Sequence, residues 1–130
     1  MSLKIRILIA DDHAHVRDDL RMVLQLTDGI EVVGEAADGR AAIDQTRTLR
    51  PDIVLMDLEM PGMNGLEAIR EIKRQKLTKI IVLSVHGYPA AQEAARLAGC
   101  DAFLVKGIDF STILRTINQV LANNSNLSIA

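Results

Sequence analysis

At 130 residues and 48% hydrophobic content the chain suits one domain with a sizeable core and has no room for a second. Its 15 basic and 17 acidic residues leave a formal net charge of −2, so no broad basic surface marks nucleic acid or an anionic membrane as a partner of this chain. The lone Cys100 excludes an internal disulfide. With no apolar run of the ~18 residues a spanning helix needs and no signal-peptide pattern, a cytoplasmic location is expected.

In chain order, Lys4 to Ala10 reads as an apolar strand ending in the paired acids Asp11 and Asp12. A helix over Ala14 to Leu26 follows, with Val16, Leu20, Val23 and Leu24 expected on its inner face. Glu31 to Ala36 is a second strand, and Asp38-Gly39 opens a helix that ends before Pro51. The third strand, Ile53 to Met56, runs into Asp57 and the loop Leu58-Glu59-Met60-Pro61-Gly62-Met63-Asn64-Gly65. Leu66, Ile69 and Ile72 mark a third helix, Ile80 to Leu83 a fourth strand next to Ser84, and Pro89 suits the first turn of an alanine-rich helix capped by Gly99. Ala102 to Val105 forms the last strand and ends at Lys106, before a helix that turns Phe110, Ile113, Leu114, Ile117 and Leu121 inward. Residues 1–122 are expected to form the domain, and the polar residues 123–130 a flexible tail or the start of a linker.

Five strands alternating with five helices imply a parallel sheet covered on both faces, because parallel strands need long crossover connections. The strands agree, since they are continuously apolar and lack the alternation of a half-wet sheet. In the doubly wound order 2-1-3-4-5, ligands bind beyond the carboxyl ends of strands 1 and 3. Asp11, Asp12 and Asp57 would converge there, where joint ionisation calls for a cation, and Mg²⁺ suits a few carboxylates with phosphate oxygens. Each residue has a plainer reading: Asp12 as a helix cap, Asp57 as a loop acid in an Asx-turn, Ser84 and Lys106 as solvated strand ends. Complementary groups at four strand ends of one sheet favour the joint reading.

The motifs Ile7-Leu8-Ile9-Ala10-Asp11-Asp12, Met56-Asp57, Met60-Pro61-Gly62-Met63-Asn64-Gly65, Leu83-Ser84 and Phe103-Leu104-Val105-Lys106 resemble the receiver domain of bacterial two-component response regulators, from about Ile5 to Leu121. The resemblance implies a flavodoxin-like fold and a phosphoacceptor, Asp57, charged by a histidine kinase. It further implies Mg²⁺ held by Asp11, Asp12, Asp57 and the backbone carbonyl of Glu59, with Lys106 and Ser84 on the phosphoryl oxygens and Ser84 and Phe103 as the switch. Such a domain is not an enzyme in its own right but promotes its own phosphorylation and dephosphorylation, and it can pair with a second copy. An ionised aspartate is a usable nucleophile, and a cation with Lys106 offsets the charge gathering on the transferred group.

Asp11-Asp12-His13 with Arg17, Val33-Gly34-Glu35-Ala36-Ala37-Asp38-Gly39 and Leu104-Val105-Lys106 looks most like regulators that carry a LuxR-type helix-turn-helix output domain. DNA binding would then belong to a longer protein, not to this chain alone; a stand-alone receiver of phosphorelay or chemotaxis type is the alternative. Three departures stand out. Ser84 replaces a frequent threonine, Phe103 a frequent tyrosine, and Gly107 a proline that is commonly cis, which implies a different or looser turn. His13, His15 and His86 are not expected to form a metal site, while His86 and Glu59 at the mouth are expected to tune the acyl phosphate's lifetime. Cys100 is expected to be a small buried filler. An aspartyl-phosphate phosphatase of the haloacid dehalogenase type would need a second acid two residues after its nucleophile on the first strand. A flavodoxin-like flavin carrier would need a phosphate-cradling loop and ring-stacking aromatics, and the chain has one Tyr and two Phe.

Overall fold

The computed structural model describes residues 3–75 and 78–126, the last three by backbone alone. Strands β1 (Ile5–Ala10), β2 (Ile30–Ala36), β3 (Ile53–Met56), β4 (Lys79–Ser84) and β5 (Ala102–Val105) alternate with helices α1 (Ala14–Gln25), α2 (Gly39–Leu49), α3 (Gly65–Lys73), α4 (Pro89–Ala98) and α5 (Phe110–Asn126). All four strand pairs are parallel, and the sheet order is β2-β1-β3-β4-β5, as expected for a doubly wound, flavodoxin-like fold. Among the described residues no helix is long and apolar enough to cross a membrane.

The strands are apolar throughout because each face has its own cover. Leu8, Ala10, Val54, Met56, Ile80 and Val82 point to one side and pack with Ile43 of α2, Ile69 and Ile72 of α3, and Ala95 and Ala98 of α4. Their sequence neighbours Ile7, Ile9, Ile53, Leu55, Ile81 and Leu83 point to the other, against Leu24 of α1 and Ile113, Ile117 and Val120 of α5. Period-two alternation of side chains thus builds two separate cores from uniformly apolar strands.

Local signals set the helix ends. Asp38 accepts the Ala41 amide at 2.8 Å and Asn64 accepts the Leu66 amide at 2.8 Å, capping α2 and α3. Pro89 opens α4, and Gly99 closes it with φ +118°. Two expectations need correction. Val23 is 36% exposed rather than inward, because α1 turns a narrow stripe through Leu20 and Leu24 to the sheet and Val23 lies about 100° around the helix from Leu24. Helix α5 runs on to Asn126, into the segment expected to be a tail from residue 123. Asparagine is only modestly unfavourable in a helix, so a helix already anchored by Ile117 and Val120 can extend through it. The rest of the expected tail, 127–130, lies outside the described residues.

Candidate functional site

Register brings the acids together. Ala10 pairs with Met56, so the residues that follow, Asp11 and Asp57, leave adjacent strands side by side. Hydrogen bonding continues one residue beyond the strands: the Asp11 amide donates to the Ala36 carbonyl and the Asp57 amide to the Ala10 carbonyl, both at 2.9 Å. The two residues are 3% and 4% exposed. On the far side, Ser84 pairs with Val105, and the Lys106 amide donates to the Ser84 carbonyl at 2.8 Å. The Lys106 ammonium reaches back across the sheet edge to Asp11 Oδ2 at 2.8 Å and Asp57 Oδ2 at 3.3 Å.

The remaining carboxylate oxygens divide in an informative way. Asp57 Oδ1 accepts the Glu59 amide at 3.1 Å, so the Asx-turn reading holds for one oxygen while the other faces Lys106. Asp11 Oδ1 accepts the His13 amide at 2.9 Å and lies 3.1 Å from His13 Nδ1. Asp12 is not a helix cap, since His13 occupies that position and makes no side-chain cap bond. Asp12 Oδ1 is buried without a hydrogen-bond partner; His13 Nδ1 is 3.0 Å away, within ion-pair range but not aligned to donate. Ligand atoms of Asp11, Asp12, His13 and Asp57 all lie within 4.8 Å of one another. Three carboxylates, one with an unsatisfied buried oxygen, fit a hard divalent cation such as Mg²⁺. His13 joins this group as a partner of Asp11, a role the sequence reading passed over although the Asp-Asp-His adjacency could have suggested it.

Charge and burial oppose each other here. Burial pushes the Asp57 carboxyl above its ordinary value, and the Asp11 charge adds to this, against the pull of the Glu59 amide and Lys106. Burial also pushes Asp11 up, but the Lys106 and His13 hydrogen bonds outweigh it and hold that carboxyl low. For Lys106 burial favours the neutral amine, yet the two carboxylates prevail and raise its value, keeping it an ammonium.

Around this centre, Ser84 is 1% exposed and its Oγ accepts the His86 amide at 3.1 Å, which leaves the hydroxyl proton available to a ligand oxygen. Phe103 is half-buried against the core that contains Met56 and Val82, and it lines an open groove of about 420 Å³ between α4 and β5. At the mouth His86 Nε2 lies 3.2 Å from Glu59 Oε2, while the His86 ring stacks on Tyr88 with centroids 5.4 Å apart. Burial pushes the half-buried Cys100 thiol up, in keeping with a filler and not a nucleophile. Gly107 makes its turn without a cis bond, through φ +100°, with open space where a Cβ would stand, so the backbone conformation alone favours glycine. Gly65 is restricted by space: a Cβ there would sit 2.5 Å from the Leu58 carbonyl oxygen, in the loop that follows Asp57. The sequence reading also missed the structural role of Arg17, which donates to the Asp11 carbonyl at 2.7 Å and reaches Glu35 on the neighbouring strand.

The sequence profile of the response regulator receiver domain matches residues 7–118. A protein-glutamate methylesterase/protein-glutamine glutaminase of Alkalilimnicola ehrlichii is 43% identical over 91% of this chain and 30% of its own length. The nitrate/nitrite response regulator protein NarL of Escherichia coli is 35% identical over 95% of the chain and 58% of its own. The chemotaxis protein CheY of Thermotoga maritima is 43% identical over 88% of the chain and 96% of its own. Among solved structures, a two-component response regulator of the LuxR family from Aurantimonas sp. SI85-9A1 superposes with a TM-score of 0.87 at 35% identity, covering 92% of this chain and 86% of that one. The chain thus spans 30% and 58% of the first two of these relatives.

Proposed function

The chain belongs to the response regulator receiver family, and on that premise we propose that Asp57 is its phosphoacceptor, charged by a histidine kinase with Mg²⁺ held by Asp11, Asp12, Asp57 and the main-chain carbonyl of Glu59. The observation that carries this reading is the Lys106 ammonium bridging two buried carboxylates on adjacent strand ends, beside the unsatisfied oxygen of Asp12. In the transfer, an oxygen of Asp57 bonds to phosphorus as the bond from phosphorus to the donor nitrogen breaks, and the electron pair leaves with the donor. Lys106 lies next to the nucleophile and compensates the oxygens of the incoming group, moving its weight from Asp11 toward them. The cation, when bound, supplies further charge compensation at those same oxygens. No separate base is required of an ionised aspartate; burial pushes the Asp57 carboxyl above its ordinary value, and the Glu59 amide and Lys106 offset part of that rise.

The product places acceptor oxygens near Ser84, whose hydroxyl proton is uncommitted, and this draws the β4 end inward. Phe103, which lines the groove between α4 and β5, then shifts its packing and alters the face of those two elements. Phosphorylation and the loss of the group both occur at this one site, in a cytoplasmic setting, without a separate catalytic activity of the chain. In a longer protein the output is a DNA-binding domain, supported by the resemblance to NarL and to a LuxR-family regulator. A stand-alone role is the second reading, favoured by a match over 96% of CheY from Thermotoga maritima. The gene sequence after Ala130 separates the two. By itself the chain, at net charge −2, should show no sequence-specific shift of DNA at physiological salt.

The central test is incubation with acetyl phosphate and Mg²⁺ followed by intact-mass analysis. One phosphoryl group is expected on the protein and none on Asp57→Asn. Equal labelling of both would overturn the assignment.

A further inference from the structure

Two side chains that the site chemistry leaves unused, Arg17 on α1 and Glu35 on β2, meet beside the main chain of Asp11. Arg17 Nη1 donates to the main-chain carbonyl of Asp11 at 2.7 Å, and its Nε lies 3.2 Å from Glu35 Oε1. Arg21 Nη1 bonds the second Glu35 oxygen, and Arg21 Nη2 pairs with Asp18 at 3.1 Å. Both Arg17 and Glu35 are largely buried, with side chains 19% and 24% exposed. The Glu35 main chain is held as well, through Gln45 Nε2 donating to its carbonyl at 2.6 Å. A chain of fixed contacts therefore runs from α2 through Glu35 and Arg17 to the peptide that joins Asp11 to Asp12.

That peptide matters because its two residues carry cation-binding carboxylates that differ in anchorage. Asp11 is fixed by hydrogen bonds from Lys106 and His13, whereas Asp12 Oδ1 accepts no hydrogen bond and has only the His13 Nδ1 contact at 3.0 Å, so its direction rests largely on its backbone. An arginine so near an acidic cluster would, if free, fold onto Asp12 and compete with a cation. Glu35 and the Asp11 carbonyl together occupy its planar fork and hold it to one side. We propose that Arg17 is a positioning residue for the cation site, with Glu35 as the acid that orients it, so that the pair fixes the Asp11–Asp12 peptide and keeps the guanidinium out of the cluster. The proposal rests on the reading of that cluster as a Mg²⁺ site.

The test is calorimetric titration of Mg²⁺ into the wild-type chain, the double variant Arg17→Gln/Glu35→Gln and the single variant Arg17→Lys, with thermal unfolding of each measured in EDTA. The double variant leaves net charge unchanged, so a change in affinity reports geometry and not field strength. Its Kd for Mg²⁺ should rise about tenfold, as for other groups that orient metal ligands. That loss should persist at high salt, and the Asp12 amide resonance of the metal-free protein should move. Arg17→Lys keeps the charge but has a single ammonium in place of the fork, and should show a smaller loss in the same direction. Wild-type affinity in the double variant would overturn the proposal, with or without a drop in unfolding temperature. If the double variant does not fold, wild-type affinity in Arg17→Lys does the same. A wild-type chain that binds no Mg²⁺ would overturn instead the cation-site reading beneath it.

Discussion

Replacing Asp57 by asparagine should stabilise the fold while it abolishes phosphorylation. Asparagine keeps the shape and the acceptor for the Glu59 amide but removes one charge from a site that holds three carboxylates and one ammonium. At an effective dielectric constant near 20, the attraction between Lys106 and Asp57 at 3.3 Å is about 5 kcal/mol. Repulsion between Asp57 and each of Asp11 and Asp12, within 4.8 Å, is about 3.5 kcal/mol or more. Two repulsions exceed one attraction by roughly 2 kcal/mol on the same constants. The greater exposure of Asp12 reduces that excess, and burial of the Asp57 carboxylate, the largest influence on its ionisation, restores it. A gain of about 2 kcal/mol at pH 7 corresponds to a rise of about 1 M in the urea midpoint. With no tryptophan in the chain, far-ultraviolet circular dichroism in EDTA is the suitable signal.

The pH dependence carries a sign of its own. The folded value of Asp57 lies above the ordinary carboxylate value, so between the two the native state binds more protons than the unfolded state. Stability from this residue is therefore greatest below that window and declines as pH rises through it, and Asp57→Asn should lack the decline. Mg²⁺ held by the native acids, as proposed, should also raise the midpoint of the wild type more than that of the variant. An unchanged or lowered midpoint for Asp57→Asn in EDTA would refute the charge balance on which this reasoning depends.

Ser84→Ala should leave Asp57 phosphorylatable while uncoupling it from α4 and β5. Amide spectra with and without beryllofluoride should then show shifts around Phe103 in the wild type only, and equal shifts would remove Ser84 from the relay. Glu59→Ala removes the contact with His86 at the mouth and should shorten the lifetime of the acyl phosphate severalfold, as followed by loss of the phosphorylated mass. An unchanged lifetime would mean that the pair does not screen the site. Gly65→Ala forces a methyl against the Leu58 carbonyl and should destabilise the chain by about 1–3 kcal/mol while slowing phosphorylation, since the same loop carries Asp57. A wild-type urea midpoint would show that the loop yields freely.

The sequence by itself determined the order and type of every element, because the continuous apolar runs, Asp38, Pro89 and Gly99 are local signals whose meaning does not depend on distant chain. It also determined that Asp11, Asp12, Asp57, Ser84 and Lys106 stand at strand ends. Helix faces and ends were less legible: Val23 looked inward because periodicity gives a stripe's spacing but not its width, and α5 outran its apolar pattern. Only the tertiary structure decided how the strand ends meet, since register is set by long-range pairing such as Ala10 with Met56 and Ser84 with Val105. It alone showed that Lys106 bridges two acids, that one oxygen of Asp57 is spent on its own loop, and that Asp12 retains an unsatisfied oxygen. The same holds for Arg17 and Glu35, 18 residues apart in the chain, whose salt bridge exists only because α1 lies across the β1–β2 pair. Side-chain direction and hydrogen-bond satisfaction depend on packing between segments, and no pattern along the chain encodes them.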